Sequence, residues 1–442
     1  MLDYSYKSIL KMAVPLMAST FIQSVVLITD SAFLSRYDTI AFDAVGNGGL
    51  IYITLFMTLI GMSDGAQIVM ARRIGEGRSS MLSKIFGSAL FNNLLISIVL
   101  FSIISWVIPD MLKSYSLNAE VAQGQVDYLN IRGYGLIFAF LSISINAYFM
   151  AIGKTKFVMI GALFVASSNI LLDYALISGN FGFEAMGIEG AALASTFADG
   201  IGALFLGIAL YYSSEQRKHE LLKNISISKE SLLNLFKISS PIMLQGLVAL
   251  TTWTVFFTWI EQIGTYELTV SQNIRSLYFL AFVPVWGFGA TTKTYVSHFI
   301  GKKDYDAVKI IIMRVQLLSI LFLFLFFHGA LFYPEQMIGV INPNEEFMAD
   351  SVAILRFVSG SVIIYSVGSV YFQAINGTGN TRINFYIEIV SVFIYLIAAF
   401  LLIKVYVLDI YWIWTVEYIY FITLGLLSFL YLRFFNWRKK EI

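Results

Sequence analysis

A chain of 442 residues that is 58% hydrophobic and only 13% charged is too poor in charge to cover itself with water, and a mean hydropathy of +0.76 places it in a membrane. Its net charge of +1 gives no electrostatic basis for a nucleic-acid partner. The absence of cysteine excludes disulfides, thiolate metal sites and cysteine nucleophiles.

Taken in chain order at about 20 apolar residues per crossing, the sequence reads as an all-α protein of about twelve transmembrane helices. The first, Lys11–Ser35, is longer than a signal-peptide core and runs into an acid and a polar loop, so it is expected to be retained. It carries Pro15, which lacks a backbone donor, and Asp30, an ionisable group near its far end. A charge inside a span costs on the order of 3 kcal/mol or more, which makes Asp30 a functional candidate. Asn47–Ala71, Phe86–Pro109, Arg132–Ile152, Phe157–Ser178 and Glu189–Tyr212 complete a first set of six. A polar stretch separates them from Phe236–Glu261, Asn273–Ser297, Ile310–Tyr333, Ser351–Asn376, Asn384–Lys404 and Asp409–Arg433. The expected division is residues 1–212, a linker over 213–235, and residues 236–442.

Basic residues fall on one side of these spans, among them Lys7, Lys11, Arg72, Arg73, Lys154, Lys156, Arg217, Lys218, Lys302, Lys303, Arg438, Lys439 and Lys440. Acids such as Asp38, Asp43, Asp110, Glu120, Asp127, Glu335 and Glu345 populate the other. The positive-inside rule then puts both termini and the linker in the cytoplasm, with the chain in a prokaryotic cytoplasmic membrane.

The halves repeat. Pro15 and Pro241, Asn47 and Asn273, Gly61 and Gly287, Gly75 and Gly301, and Gly153 and Gly379 are each 226 positions apart. An even number of spans per half relates the copies by an axis along the membrane normal, giving two six-helix bundles facing a central cleft. The same register pairs Asp30 with Phe256, Asn169 with Tyr395 and Asp173 with Ala399. Buried polar positions of the first half are thus apolar or aromatic in the second, which assigns the ion chemistry to the first.

Asp30, Asp173 and Ser195 fall about five or six residues from the outer ends of their spans, and so share one level at about 1.5 Å per residue. Asn169 and Asp173, like Ser195 and Asp199, are four apart and share a helix face. Carboxylate, amide and hydroxyl oxygens suit a hard cation such as sodium. The same acids could hold a proton, because burial and a second carboxylate both favour the neutral form. In spans seven and eight, Phe256, Trp259, Tyr278, Phe282 and Trp286, with Met243, offer apolar and cation–π surface for flat cationic molecules. Arg275 and Glu261 fall near the outer ends of these two spans, where a passive interfacial ion pair is expected and an outer gate latch is the alternative. The three histidines have no ligand spacing, so no metal site is expected beyond a sodium ion, and no cofactor.

These residues resemble the multidrug and toxic compound extrusion (MATE) transporters over nearly the whole chain. The motifs are a proline followed fifteen residues later by aspartate (Pro15, Asp30), N-x-x-x-D (Asn169, Asp173), GAALAS for the family's GAALAT, and the turn GTGNT at Gly377–Thr381. The resemblance implies a cation-coupled antiporter that exports drugs or toxic metabolites, with Asp30, Asn169, Asp173, Ser195 and the Ala191 carbonyl around the ion. Asp199 is a further candidate on the residues alone, and Pro15 is the expected hinge of an alternating-access cycle. Where some family members carry an acid in span seven, this chain has Ala249, and Glu388 and Glu417 are acids at other positions. The expected partners are a small-molecule substrate, sodium or a proton, and lipid, with the protein a monomer. Two alternatives stand beside this reading. A flippase for lipid-linked sugars would need a cleft lined with bases, and a lipid enzyme would need a nucleophile or metal set; the spans show neither.

Overall fold

The computed structural model describes residues 2–115, 119–440 and 442. The first half comprises α1 (Tyr6–Tyr37), α2 (Thr39–Gly75), α3 (Leu82–Ser102), α4 (Ile108–Tyr115), α5 (Ala119–Arg132), α6 (Gly135–Ala151), α7 (Lys156–Leu176) and α8 (Gly187–Tyr212). A short α9 (Ser214–Lys218) follows. The second half comprises α10 (Lys229–Glu261), α11 (Thr265–Gly301), α12 (Tyr305–Phe327), α13 (Gly329–Phe332), α14 (Pro334–Ile341), α15 (Glu345–Gly377), α16 (Thr381–Phe400), α17 (Ile410–Ile413) and α18 (Val416–Phe434). Among the described residues, eleven helices or helix runs are long and apolar enough to cross a membrane, and twelve if α5 and α6 count as one bent span. No backbone donor can be left unpaired in lipid, which is why an all-helical chain results.

The repeat is legible helix by helix. α2 and α11 begin at Thr39 and Thr265 and end at Gly75 and Gly301, 226 positions apart at both ends. α4 and α14 also correspond end to end. The turns agree too. Positive φ occurs at Gly153 (73°) and Gly379 (84°), and at Phe181 (58°) and Val407 (50°), pairs in the same register. At 37 residues each, α2 and α11 measure about 55 Å at 1.5 Å per residue, far more than the hydrocarbon layer. This is why they overrun the expected spans Asn47–Ala71 and Asn273–Ser297 at both ends.

The halves diverge where the fourth span was expected. Residues 119–151 form two helices bent by 51°, whereas the corresponding residues 345–377 form one continuous helix. Arg132 sits at that bend. A Cβ on Gly135 would run into Arg132 Nη1, so glycine gives the guanidinium room to fold back there.

Packing divides the chain into one unit of residues 18–243 and another of residues 1–17 with 244–442. This differs from a division at the linker. Two residues after Pro15, and again two residues after Pro241, the long helix passes from one unit to the other. Glycine makes both attachments. A Cβ on Gly61 would meet the Met243 Cα at 2.6 Å, and one on Gly287 would meet Met17 Cγ at 2.4 Å, in equivalent positions. Residues 213–235 therefore belong to the first unit. Glu215 pairs with Lys154 at 3.3 Å, His219 Nδ1 meets the Tyr148 hydroxyl at 2.9 Å, and Asn92 Nδ2 donates to the Leu232 carbonyl at 3.2 Å.

Candidate functional site

The acid cluster forms where three helices of the first unit converge, and small residues let them do so. α7 and α8 pack together along their length. A Cβ on Gly190 would come within 2.7 Å of the Leu176 carbonyl oxygen, and one on Gly202 within 2.3 Å of Val165 Cγ2. The run Gly190-Ala191-Ala192-Leu193-Ala194 thus brings α8 backbone close to α7, as small residues do between membrane helices. Ser195 then reaches Asn169. Ala191 is buried within the apolar cluster that surrounds this crossing.

Asn169 and Asp173 are buried, at 1% and 0% exposure, while Asp30 is half-buried on α1. The neighbours of the Asn169 amide fix its orientation. With its nitrogen turned to the acids it donates to Asp30 Oδ1 at 2.8 Å and to Asp173 Oδ2 at 3.3 Å, and its oxygen accepts from Ser195 Oγ at 3.3 Å. The reverse orientation keeps only the serine contact, so satisfaction of the network selects the first. The two acids thus meet on one amide, and Asp173 Oδ1 is left without a hydrogen-bond partner among the described residues. Asp30, Asn169, Asp173 and Ser195 are therefore brought together.

Asp199 is not among them. Its Oδ2 lies 2.7 Å from Arg132 Nη1, and the guanidinium lies 4.1 Å above the Tyr52 ring. Spacing on α8 placed Asp199 beside Ser195, but a basic side chain from another helix claims it. Arg132 was missed because it stood at the boundary of an expected span. A base and an acid inside separate spans are a signal that would have paired them.

The second unit fills the equivalent positions differently. Phe256 is fully buried, with ring centroids 5.6 Å from Tyr395 and 5.7 Å from Trp414. Tyr278 is likewise fully buried, 5.9 Å from Trp414. These two substrate-cleft candidates are core residues in this structure, because their rings complete the aromatic packing of α10, α11 and α17–α18. Trp259 is half-buried against Phe400, Phe282 stacks on Trp286 at 5.7 Å, and Trp286 is exposed. Met243 lies at the Gly61 contact. Arg275 covers the Phe257 ring at 4.9 Å, and no ion pair between it and Glu261 occurs among the described residues. Pro15 is buried within an unbroken α1. Glu417 accepts from the Tyr395 hydroxyl at 3.3 Å and also bonds Trp253, and Glu388 accepts from the Tyr420 hydroxyl at 2.7 Å. No group of three metal-ligating acids, histidines or cysteines occurs among the described residues.

Known proteins place this architecture. The MatE family model matches residues 15–175 and again 241–401, two stretches separated by the same 226 positions as the internal repeat. A curated relative from Thermotoga maritima, named "Probable multidrug resistance protein NorM", is 26% identical over 99% of this chain and 94% of its own length. One from Bacillus subtilis, "Probable multidrug resistance protein YoeA", is 22% identical over 99% of this chain and 95% of its own. Among solved structures, a MOP superfamily transporter from Pyrococcus furiosus superposes with a TM-score of 0.89 at 17% identity, covering 97% of this chain and 95% of that one. A structure described as an outward-facing multidrug resistance MATE family transporter gives 0.89 at 16% identity over the same shares. With the family model covering both halves in the register of the repeat, the chain belongs to the MATE family of transporters.

Proposed function

We propose that this protein is a multidrug exporter driven by cation antiport, and that Asp30, Asn169, Asp173 and Ser195 form its coupling site. The observation that carries the reading is the paired acids at the crossing of α1, α7 and α8, joined through Asn169 and lacking an ion-pair partner among the described residues. Two neighbouring carboxylates have two ways to lose their repulsion: hold a proton, or accept a cation among their oxygens. Either makes the site neutral or ligated when loaded and strained when empty. The names of the curated relatives support drug export as the cargo side of the cycle.

In this reading, loading from outside neutralises the acids and lets α1 bend near Pro15, just before the helix changes packing unit. Substrate is released outwards, the protein turns inwards, and the ion leaves to the cytoplasm. The exposed Trp286, stacked on the half-buried Phe282, supports recognition of flat cationic substrates. The distribution of basic residues supports a bacterial inner-membrane protein with both termini cytoplasmic. One charge crossing about 100 mV supplies roughly 2.3 kcal/mol, enough for about a fifty-fold gradient of a neutral substrate.

Dye efflux from a pump-deficient bacterium tests this, with sodium and proton gradients collapsed separately. Asp30→Asn or Asp173→Asn is expected to lower coupled efflux by about tenfold or more while the protein still accumulates in the membrane, a change of about 1.4 kcal/mol or more. Full-rate export by both variants removes the acids from the mechanism.

A further inference from the structure

The second unit carries an amide–acid pair of its own on α16, the helix equivalent to α7. Asn169 and Asp173 correspond to Tyr395 and Ala399, and Asn384 and Glu388 stand eleven positions before these two. Eleven residues are about three turns at 3.6 residues per turn, so the second pair leaves the same helix face nearer the N-terminal end. Four-residue spacing again stacks the amide and the acid.

As at Asp173 Oδ1 of the first site, polar atoms around this pair are left unmet. Asn384 is fully buried, yet neither its Oδ1 nor its Nδ2 has a hydrogen-bond partner among the described residues. An unmet buried amide is costly, and a bound ion or water would satisfy it. Glu388 is buried, receives one hydroxyl from Tyr420, and makes no ion pair among the described residues. Just beyond Asn384, Gln245 Nε2 donates to the Thr381 carbonyl at 3.4 Å, and Gln245 Oε1 accepts from Asn376 Nδ2 at 3.3 Å. Asn376 is buried too, and its Oδ1 is again without a partner among the described residues.

We infer that Asn384 and Glu388 form a second site for a hard monovalent cation such as sodium, in the half of the molecule that lacks the first-unit acids. One carboxylate balances one positive charge, and the free Asn384 Oδ1 supplies a neutral oxygen. The Tyr420 hydroxyl keeps a lone pair while donating to Glu388. Such a set suits a hard ion and offers nothing to a softer metal. The site differs from the span-seven acid of some relatives, whose position is Ala249 here. It does not depend on the first-unit cluster being the coupling site.

Equilibrium binding of radioactive sodium to the purified full-length protein, with choline chloride as the control salt, reads the stoichiometry. Glu388→Gln is expected to bind one sodium fewer than the parent, while the Asp30→Asn/Asp173→Asn double variant retains that ion. Asn384→Leu provides a second readout. It removes an amide with no partner among the described residues, so its melting temperature without sodium should equal or exceed the parent's. The part of the sodium-induced rise that belongs to this site should vanish. Unchanged sodium stoichiometry in both variants overturns the inference, as does a parent protein whose sodium binding is abolished entirely by the Asp30→Asn/Asp173→Asn change. Ordered water alone at the amide would give the first of these results.

Discussion

At one level of the same fold, the first unit holds Asp30, Asn169 and Asp173, and the second holds Phe256, Tyr395 and Ala399. The first set is a hydrogen-bonded polar network; the second is an edge-to-face aromatic core closed by Trp414. Helix lengths, turn conformations and the glycine contacts at Gly61 and Gly287 are shared, so the fold does not require the acids. Charge in the second unit is displaced rather than deleted. Glu417 occupies the place equivalent to Ala191 and is held by Tyr395, the residue standing where the first unit has Asn169. Two copies of one backbone thus present a carboxylate in two settings: one joined to a second acid, one boxed by aromatic donors.

That contrast can be broken from the aromatic side. Phe256→Asp would put an acid at the Asp30-equivalent position, where Phe257, Tyr395 and Trp414 surround it. The expected result is a protein that fails to accumulate or melts far below the parent, since an unpaired charge there costs about 3 kcal/mol or more. Phe256→Leu should fold and retain efflux. An Asp variant with parent-like stability would mean the aromatic box tolerates charge and the asymmetry carries no energetic weight.

A second cut sharpens the first-unit side. Arg132 and Asp199 have Val358 and Gly425 as counterparts, so the ion pair and the 51° bend belong to one unit only. Arg132→Met leaves the half-buried Asp199 without its partner inside a span, and a loss of about 3 kcal/mol is expected, read as a large fall in melting temperature. Replacing both residues by apolar ones should recover much of that stability. If the double variant is stable yet transports poorly, the Arg132 charge acts on Asp30 as well as on Asp199.

The smallest effect concerns the linker docked on the first unit. Burial holds His219 below the usual histidine range, against a weaker opposing pull from Glu215. A lowered folded-state value favours the neutral ring, so its contribution is full above the ordinary value of about 6.5 and is lost as pH falls below it. Acidification should raise protease sensitivity across residues 213–235, and His219→Gln should flatten that pH dependence. A linker equally protected in both proteins at every pH removes His219 from its docking.

Much of this molecule was legible before any coordinates. Hydropathy gave the all-helical membrane class, and a single offset gave the repeat, because α-helices buried in lipid must satisfy their backbones locally and leave long uniform runs. Four-residue spacing put Asn169 and Asp173 on one face, and the shared depth of Asp30 and Ser195 brought those residues to them. Tertiary structure decided what spacing cannot encode. Asp199 shares its face with Ser195 but is taken by Arg132, which arrives from another helix over Gly135. Phe256 and Tyr278 are aromatic in sequence like Trp286, yet only packing separates the two that complete a core from the one left exposed. Helix periodicity fixes which side chains leave together; which neighbour meets them depends on contacts between residues far apart in the chain, and those exist only once the helices have packed.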